Sequence, residues 1–274
     1  RWTSLDRQLA RESNRHGNID LAPPSGRQPD EFNALKVGRL RKLESLGLAD
    51  QIGPGQWVMD ETAETTLREL GERGDIIKRI HRGLKERGIE RGASSYVLAG
   101  ESLNEPVIGR LVDRGLDDEL KGSAFAVIDG IDGRTHHIRL PHIDAAGDSA
   151  PGSIVELRKF DDAKGRRRVA LAVRSDLSID RQVTATGATW LDRAAIAREP
   201  LPVSGDGFGA EISGALERRA EHLIEVGLAK RQGQRAIFAR GLLNTLRKCE
   251  LDAAVDKLAD EIGRPHTPSA PGEH

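Results

Sequence analysis

The side chains of this 274-residue sequence that stand close enough to act together are mostly bases. Lys78, Arg79, Arg82, Lys85, Arg87 and Arg91 face only two acids in the same stretch, Glu86 and Glu90. Lys36, Arg39, Arg41 and Lys42 form a group with no acid between them, and a third group reads Lys164-Gly165-Arg166-Arg167-Arg168. Lys230, Arg231 and Arg235 flank a Gln-Gly-Gln turn. Clustered cations of this kind can neutralise backbone phosphates. The competing reading of any one cluster is a solvated helix face.

Other candidates for chemistry are weaker. His136, His137 and His142 form the one histidine cluster, but neighbours on a strand point to opposite faces and cannot share a metal without a bulge. Those histidines are expected to be exposed or paired across strands. Tyr96, the single tyrosine, has no metal-holding histidine pair near it to serve a nucleophile, so it is read as a packing residue. Cys249 falls in a helical pattern, where a buried, inert thiol is ordinary. Gly205-Asp206-Gly207-Phe208-Gly209 follows no strand and precedes no Lys-Ser/Thr, so it is read as a flexible entry to a helix rather than a phosphate cradle. No Gly-x-Ser-x-Gly elbow occurs. The sequence is therefore expected to have no catalytic residue, metal site or cofactor.

Composition narrows the field further. The net charge is −1, with 31% charged and 3% aromatic residues. So few rings weigh against a broad base-stacking platform. A single cysteine excludes a disulfide framework, and no apolar run is long enough to span a bilayer. A soluble, cytoplasmic chain without membrane insertion is expected. The start at Arg1, with Met59 as the one methionine, reads as a fragment of something longer or a processed product.

An internal repeat organises the elements that must hold these residues. Thr3-Ser4-Leu5-Asp6-Arg7 returns as Thr189-Trp190-Leu191-Asp192-Arg193, and Leu43–Ala49 returns as Leu223–Ala229. Trp57 and Phe238 follow, and Leu67-Arg68-Glu69-Leu70 is echoed near Leu246. In the first copy, Ser4 is expected to cap a helix to about Glu12, followed by a loop from Gly17 to Pro29 with Pro23-Pro24 and Gly26. Asp30 caps a second helix with Phe32, Leu35, Leu40, Leu43 and Leu46 on its apolar face. Gly47 stops it, a hairpin turns at Gly53-Pro54-Gly55, and Asp60 caps a helix to about Leu70. A separate basic amphipathic helix then spans 74–88. In the second copy, helices are expected over 210–226 and 242–262, with a hairpin between them. The repeated Thr-x-x-Asp-Arg is read as a capping and salt-bridge device, the alternative being an arginine on phosphate.

Between the copies, runs at Pro106–Asp113, Ala124–Asp129, Arg134–Leu140, Ser153–Phe160 and Arg168–Val173 read as five short strands. The expected fold is α+β, with two winged-helix-like repeats flanking a small antiparallel β-barrel of the SH3 or OB type. The boundaries are 1–94 for the first copy with its basic helix, 95–183 for the barrel, 184–264 for the second copy, and 265–274 for a disordered tail.

Five stretches carry a family resemblance: Thr3–Arg7, Leu70–Lys78, Val107–Leu116, Asp129–His137 and Gly187–Arg193, together with Glu250-Leu251-Asp252. Over nearly its whole length the chain resembles the C-terminal region, a domain of unknown function, of conjugative relaxase/mobilisation nucleases similar to the T-DNA border endonuclease. The resemblance implies that nicking chemistry lies upstream, in a domain with a tyrosine nucleophile and a three-histidine metal site, none of it present in this chain. It implies a context of plasmid transfer. The expected role is a non-catalytic DNA-binding accessory region that positions transfer-origin DNA. The alternative is a protein-interaction module docking to the type IV transfer machinery or to auxiliary proteins. DNA contacts are expected from Lys36, Arg39, Arg41, Lys42, Lys78, Arg79, Arg82, Lys85, Lys164, Arg166, Arg167, Arg168, Lys230, Arg231 and Arg235.

Overall fold

A computed structural model describes residues 1–22, 30–98 and 106–263. The expected tail at 265–274 and the Pro23-Pro24 and Gly26 part of the first loop lie outside the described residues. The chain forms two compact units, Arg1–Arg79 and Ile80–His274.

In the first unit, α1 (Ser4–His16) is capped by Thr3 rather than Ser4. The Thr3 hydroxyl accepts from the Asp6 N–H, and the Asp6 carboxylate accepts from the Thr3 N–H, so two groups left over at the helix start satisfy each other. This reciprocal pair is what moves the cap one residue upstream. The helix ends at Gly17, whose φ of 77° suits a residue without Cβ. The short strand β1 (Ile19–Asp20), unforeseen in the sequence, leads to α2 (Glu31–Glu44). The hairpin follows as β2 (Ala49–Gly53) and β3 (Gln56–Met59). Together they form an antiparallel sheet in the order β1-β3-β2.

Leu9, Ile19, Leu40, Leu43, Trp57 and Leu67 close the core of this unit. Phe32, Leu35 and Leu46 stay exposed, although α2 was expected to bury them. The buried side of α2 runs through Lys36, Leu40 and Leu43 instead. One long helix, α3 (Ala63–Glu86), replaces the two helices expected between 61 and 88. Gly71 and Gly74 do not break it, because an interior glycine costs a helix only about 1 kcal/mol.

In the second unit, β4 (Tyr96–Val97), β5 (Ile108–Asp118), β6 (Ser123–Gly130), β7 (Thr135–Leu140), β8 (Ile154–Asp161) and β9 (Arg167–Ser175) form a sheet in the order β4-β7-β6-β5-β8-β9. All five strands read from the sequence are present. The ladder does not close into a barrel, since β4 and β9 stand at its two ends and do not pair. The added edge strand β4 runs parallel to β7.

Then come α4 (Ile179–Val183), α5 (Trp190–Ile196), α6 (Gly207–Glu225), the hairpin β10 (Ala229–Gln232) with β11 (Arg235–Phe238), and α7 (Leu242–Gly263). The glycine-rich run overlaps the first turn of α6 and makes a close contact rather than a flexible entry: a Cβ on Gly209 would lie 2.4 Å from the Ile131 carbonyl oxygen. Cys249 is half-exposed rather than buried.

The two copies agree in backbone detail. Leu48 N–H donates to the Leu43 carbonyl, and Leu228 N–H to the Leu223 carbonyl. Ala49 pairs with Met59 and Ala229 with Phe238, so Phe238 corresponds to Met59, two residues beyond the Trp57 position that the sequence match assigned to it. The capping box returns on Thr189 and Asp192. In each copy the aspartate is gripped by an arginine of the next long helix, Arg39 on Asp6 and Arg219 on Asp192. The repeated Thr-x-x-Asp therefore serves structure, although its partner is not the adjacent Arg7 or Arg193.

Burial alone would raise the Asp6 pKa, but hydrogen bonds from Arg39 and Thr3 outweigh it and hold the carboxyl below its ordinary 3.8. A depressed folded-state value stabilises above the unfolded value and is lost as pH falls through the folded one. Asp6→Asn is accordingly expected to destabilise the first unit at neutral pH, with the gap to the parent chain closing below about pH 4. Urea denaturation followed by circular dichroism at several pH values reads this directly. A gap that persists unchanged at pH 2 would exclude it.

Candidate nucleic-acid interface

The fifteen bases read as DNA contacts divide sharply once folded. Lys36 is buried with its Nζ 2.8 Å from Glu12 Oε1, and Arg39 donates to Asp6 at 2.6 and 2.8 Å. Both hold α2 against α1 and are lost to any interface, a correction to the sequence reading. Their helical neighbours Arg41 and Lys42 face solvent. At the β8–β9 turn, Lys164 and Arg166–Arg168 stay mostly exposed, but Asp162 binds Arg166 and Arg168, and Asp161 binds Arg167. Asp162 is drawn down to a pKa of about 2, chiefly by the Arg166 backbone N–H and by the Arg168 side chain and Lys164 N–H. Four bases face two carboxylates there, so the turn is only partly neutralised. On the β10–β11 hairpin, Lys230 and Arg235 are exposed, while Arg231 pairs with Glu221.

The α3 bases behave differently. Lys78, Arg82 and Lys85 are exposed, and Arg79 is half-buried. His81, Arg82 and Lys85 make no hydrogen bond or ion pair among the described residues. With Lys78 they recur at i, i+3, i+4 and i+7, which is one side of a helix. Ile76, Ile80 and Leu84 occupy the other side and are buried. The helix thus presents a cationic stripe because its apolar residues are consumed on the opposite face.

Just beyond α3 the chain meets a network that sequence reasoning missed. Asp129, fully buried at the end of β6, receives Arg91 at 3.0 and 2.9 Å and Arg110 at 2.9 Å. Glu211 on α6 binds the same two arginines at 2.8 and 3.1 Å. The Arg110 guanidinium lies 4.6 Å from the Phe208 ring centroid. Two cations and two carboxylates balance, so the cluster ties β5, β6 and α6 to the segment after α3. No sequence signal pairs residues 38, 101 or 120 positions apart.

The histidine cluster is also resolved. His136 and His137 do point to opposite faces, but both are buried rather than exposed. His136 Nε2 lies 2.8 Å from Asp132 Oδ2, and His137 stacks on Phe125. Among the described residues no group of three or more His, Cys, Asp or Glu is placed to hold a metal.

Two clefts border these elements. One, of about 360 Å³, is lined by Arg87, Arg110 and Arg218. Each of these is already engaged, by the Val112 carbonyl, by Asp129 and Glu211, and by Asp180 respectively. The other, of about 440 Å³, lies between the end of α3 and β4 and includes His81, Lys85 and Tyr96.

A family model described as "Protein of unknown function (DUF3363)" matches residues 36–166 and 157–274, well over half of the chain. The chain belongs to this family. The two stretches meet in β8 and share residues 157–166. No curated protein and no solved structure is detectably similar to the chain. Among the described residues no helix is long and apolar enough to cross a membrane.

Proposed function

We propose that this chain is a non-catalytic DNA-binding region, in keeping with its resemblance to the C-terminal part of conjugative relaxases, and that it holds transfer-origin DNA for a nuclease domain upstream. The observation that carries this reading is the unpaired stripe of His81, Arg82 and Lys85 on α3, with Lys78 one turn before. Lys36, Arg39, Arg91, Arg110 and Arg219 are spent on carboxylates, whereas this stripe is not, so an external polyanion can gain from it. Each copy is read as winged-helix-like, with the β10–β11 hairpin as a wing whose Lys230 and Arg235 reach the backbone beside a groove. Such contacts position the DNA rather than read its sequence.

Fluorescence anisotropy with labelled oligonucleotides at about 50 and 200 mM salt tests the reading. The parent chain is expected to lose affinity linearly on a log–log salt plot. Lys78→Ala/Arg82→Ala is expected to weaken binding of all sequences alike and to flatten the slope by about 2, one unit per lost phosphate contact. No binding at the lower salt concentration would end this reading.

A specific feature favours protein docking as the second reading. Leu251, Val255, Leu258 and Ile262 recur at helical spacing on α7, and all are exposed. This apolar face suits a partner protein of the transfer apparatus or an auxiliary protein. Capture of such a partner, abolished by Val255→Asp/Leu258→Asp, alongside a chain indifferent to DNA, would replace the first reading with this one.

A further inference from the structure

The cleft of about 440 Å³ at the end of α3 has the make-up of a ligand site. Its walls are His81, Leu84, Lys85, Gly88, Ile89, Glu90, Arg91 and Tyr96. Arg91 is fixed from behind by Asp129 and Glu211, so that side of the cleft is rigid and its charge is spent. Besides the Glu90 carboxylate on the rim, three polar groups remain: the His81 ring, the Lys85 ammonium and the Tyr96 hydroxyl. None has a hydrogen-bond partner among the described residues. The other arginine-lined groove has no such surplus.

Tyr96 is a half-buried residue of the two-residue edge strand β4. Several other large rings of the chain are committed elsewhere, although Phe160 on β8 is half exposed. Trp57, Trp190, Phe125 and Phe208 are buried, and Phe32 lies under the Lys36 ammonium. Tyr96 instead lines an open cleft beside two unpaired basic side chains one helical turn apart. Aromatic face, apolar Leu84 and Ile89, the Lys85 cation and the His81 ring are the combination that a nucleotide requires, with a flat base, a sugar and a phosphate. The Glu90 carboxylate on the rim repels phosphate, which leaves the His81 and Lys85 side for it. A base stacked within a duplex cannot reach such a cleft, whereas an unstacked base of a single strand can.

We propose that this cleft takes one unstacked base of a single-stranded nucleic acid, its ring against Tyr96 and the neighbouring phosphate on His81 and Lys85. This rests on the DNA-binding reading and narrows it to single strands. Sparse aromatics weigh against a broad stacking platform but not against a single stacked base.

The test uses the full chain and a short single-stranded oligonucleotide carrying 2-aminopurine, compared with its duplex. The single strand is expected to bind tighter and to change its 2-aminopurine emission. Tyr96→Ala is expected to weaken the single strand about tenfold and leave the duplex unchanged, while Tyr96→Phe retains the affinity. Lys85→Gln, at an exposed helix position, gives a second variant should Tyr96→Ala fail to fold, and is expected to weaken the single strand as well. If both folded variants bind the single strand like the parent while Lys78→Ala/Arg82→Ala still weakens binding, the cleft is excluded and the stripe stands. If neither DNA form binds the parent chain, both readings fall together.

Discussion

Replacing Arg219 by alanine is expected to lower the stability of the second unit by about 3–5 kcal/mol. Arg219 and Asp192 are both fully buried, at 1% and 0% exposure. The guanidinium meets the carboxylate through Nε at 2.9 Å and Nη2 at 3.0 Å. Its remaining N–H groups donate to the carbonyls of Val183, Ala185 and Gly187, which turns the chain from α4 into α5. Removing the arginine leaves a desolvated carboxylate with no counter-charge and three carbonyls without their donor. The equivalent change in the first copy, Arg39→Ala, is expected to cost less, because Arg39 is 24% exposed and water can replace part of it. Urea melts resolved for each unit would show the contrast. A loss below about 1 kcal/mol for Arg219→Ala, the scale of an exposed ion pair, would refute the argument. Replacing both partners with leucine-sized apolar residues is expected to recover only part of the stability, since it removes the orphaned charge but leaves the three carbonyls without their donor.

Gly109→Ala is expected to be the second most damaging change, at about 3 kcal/mol, the upper end of overpacking. Gly109 sits opposite Gly130 in the β5–β6 register. A Cβ at Gly109 would lie 2.2 Å from the Asp129 carbonyl oxygen and 2.8 Å from the Gly130 Cα. These are backbone atoms of a paired strand and cannot rotate away. Forcing the strands apart also displaces Asp129 from Arg91 and Arg110, so the rigid wall of the Tyr96 cleft should loosen. Weaker stability together with a weaker preference for single-stranded DNA is the expected pair of readouts. Retained stability would show that the sheet can open here without cost.

Much was legible in the sequence where structure is local. The Thr-x-x-Asp box reads from spacing because both partners lie within one turn. The helix stops at Gly47 and Gly227 read from chemistry, since their φ values of 70° and 79° favour residues without Cβ. The five strands read from alternation and turn residues. The internal repeat was legible as well, because its signature residues are caps, stops and core leucines such as Leu67 and Leu246.

The tertiary structure decided what those residues are used for. Arg39 and Lys36 look like surface cations on α2, yet packing against α1 pairs them with Asp6 and Glu12 and takes both out of any interface. Ile76, Ile80 and Leu84 are covered while Val255, Leu258 and Ile262 on α7 are not, although both helices carry apolar spacing. Periodicity reports that a face is apolar, not what lies against it. The open sheet, the Asp129 network and the cleft beside Tyr96 all join residues tens of positions apart. Their energy comes from desolvation and from geometry across elements, quantities that no local spacing encodes.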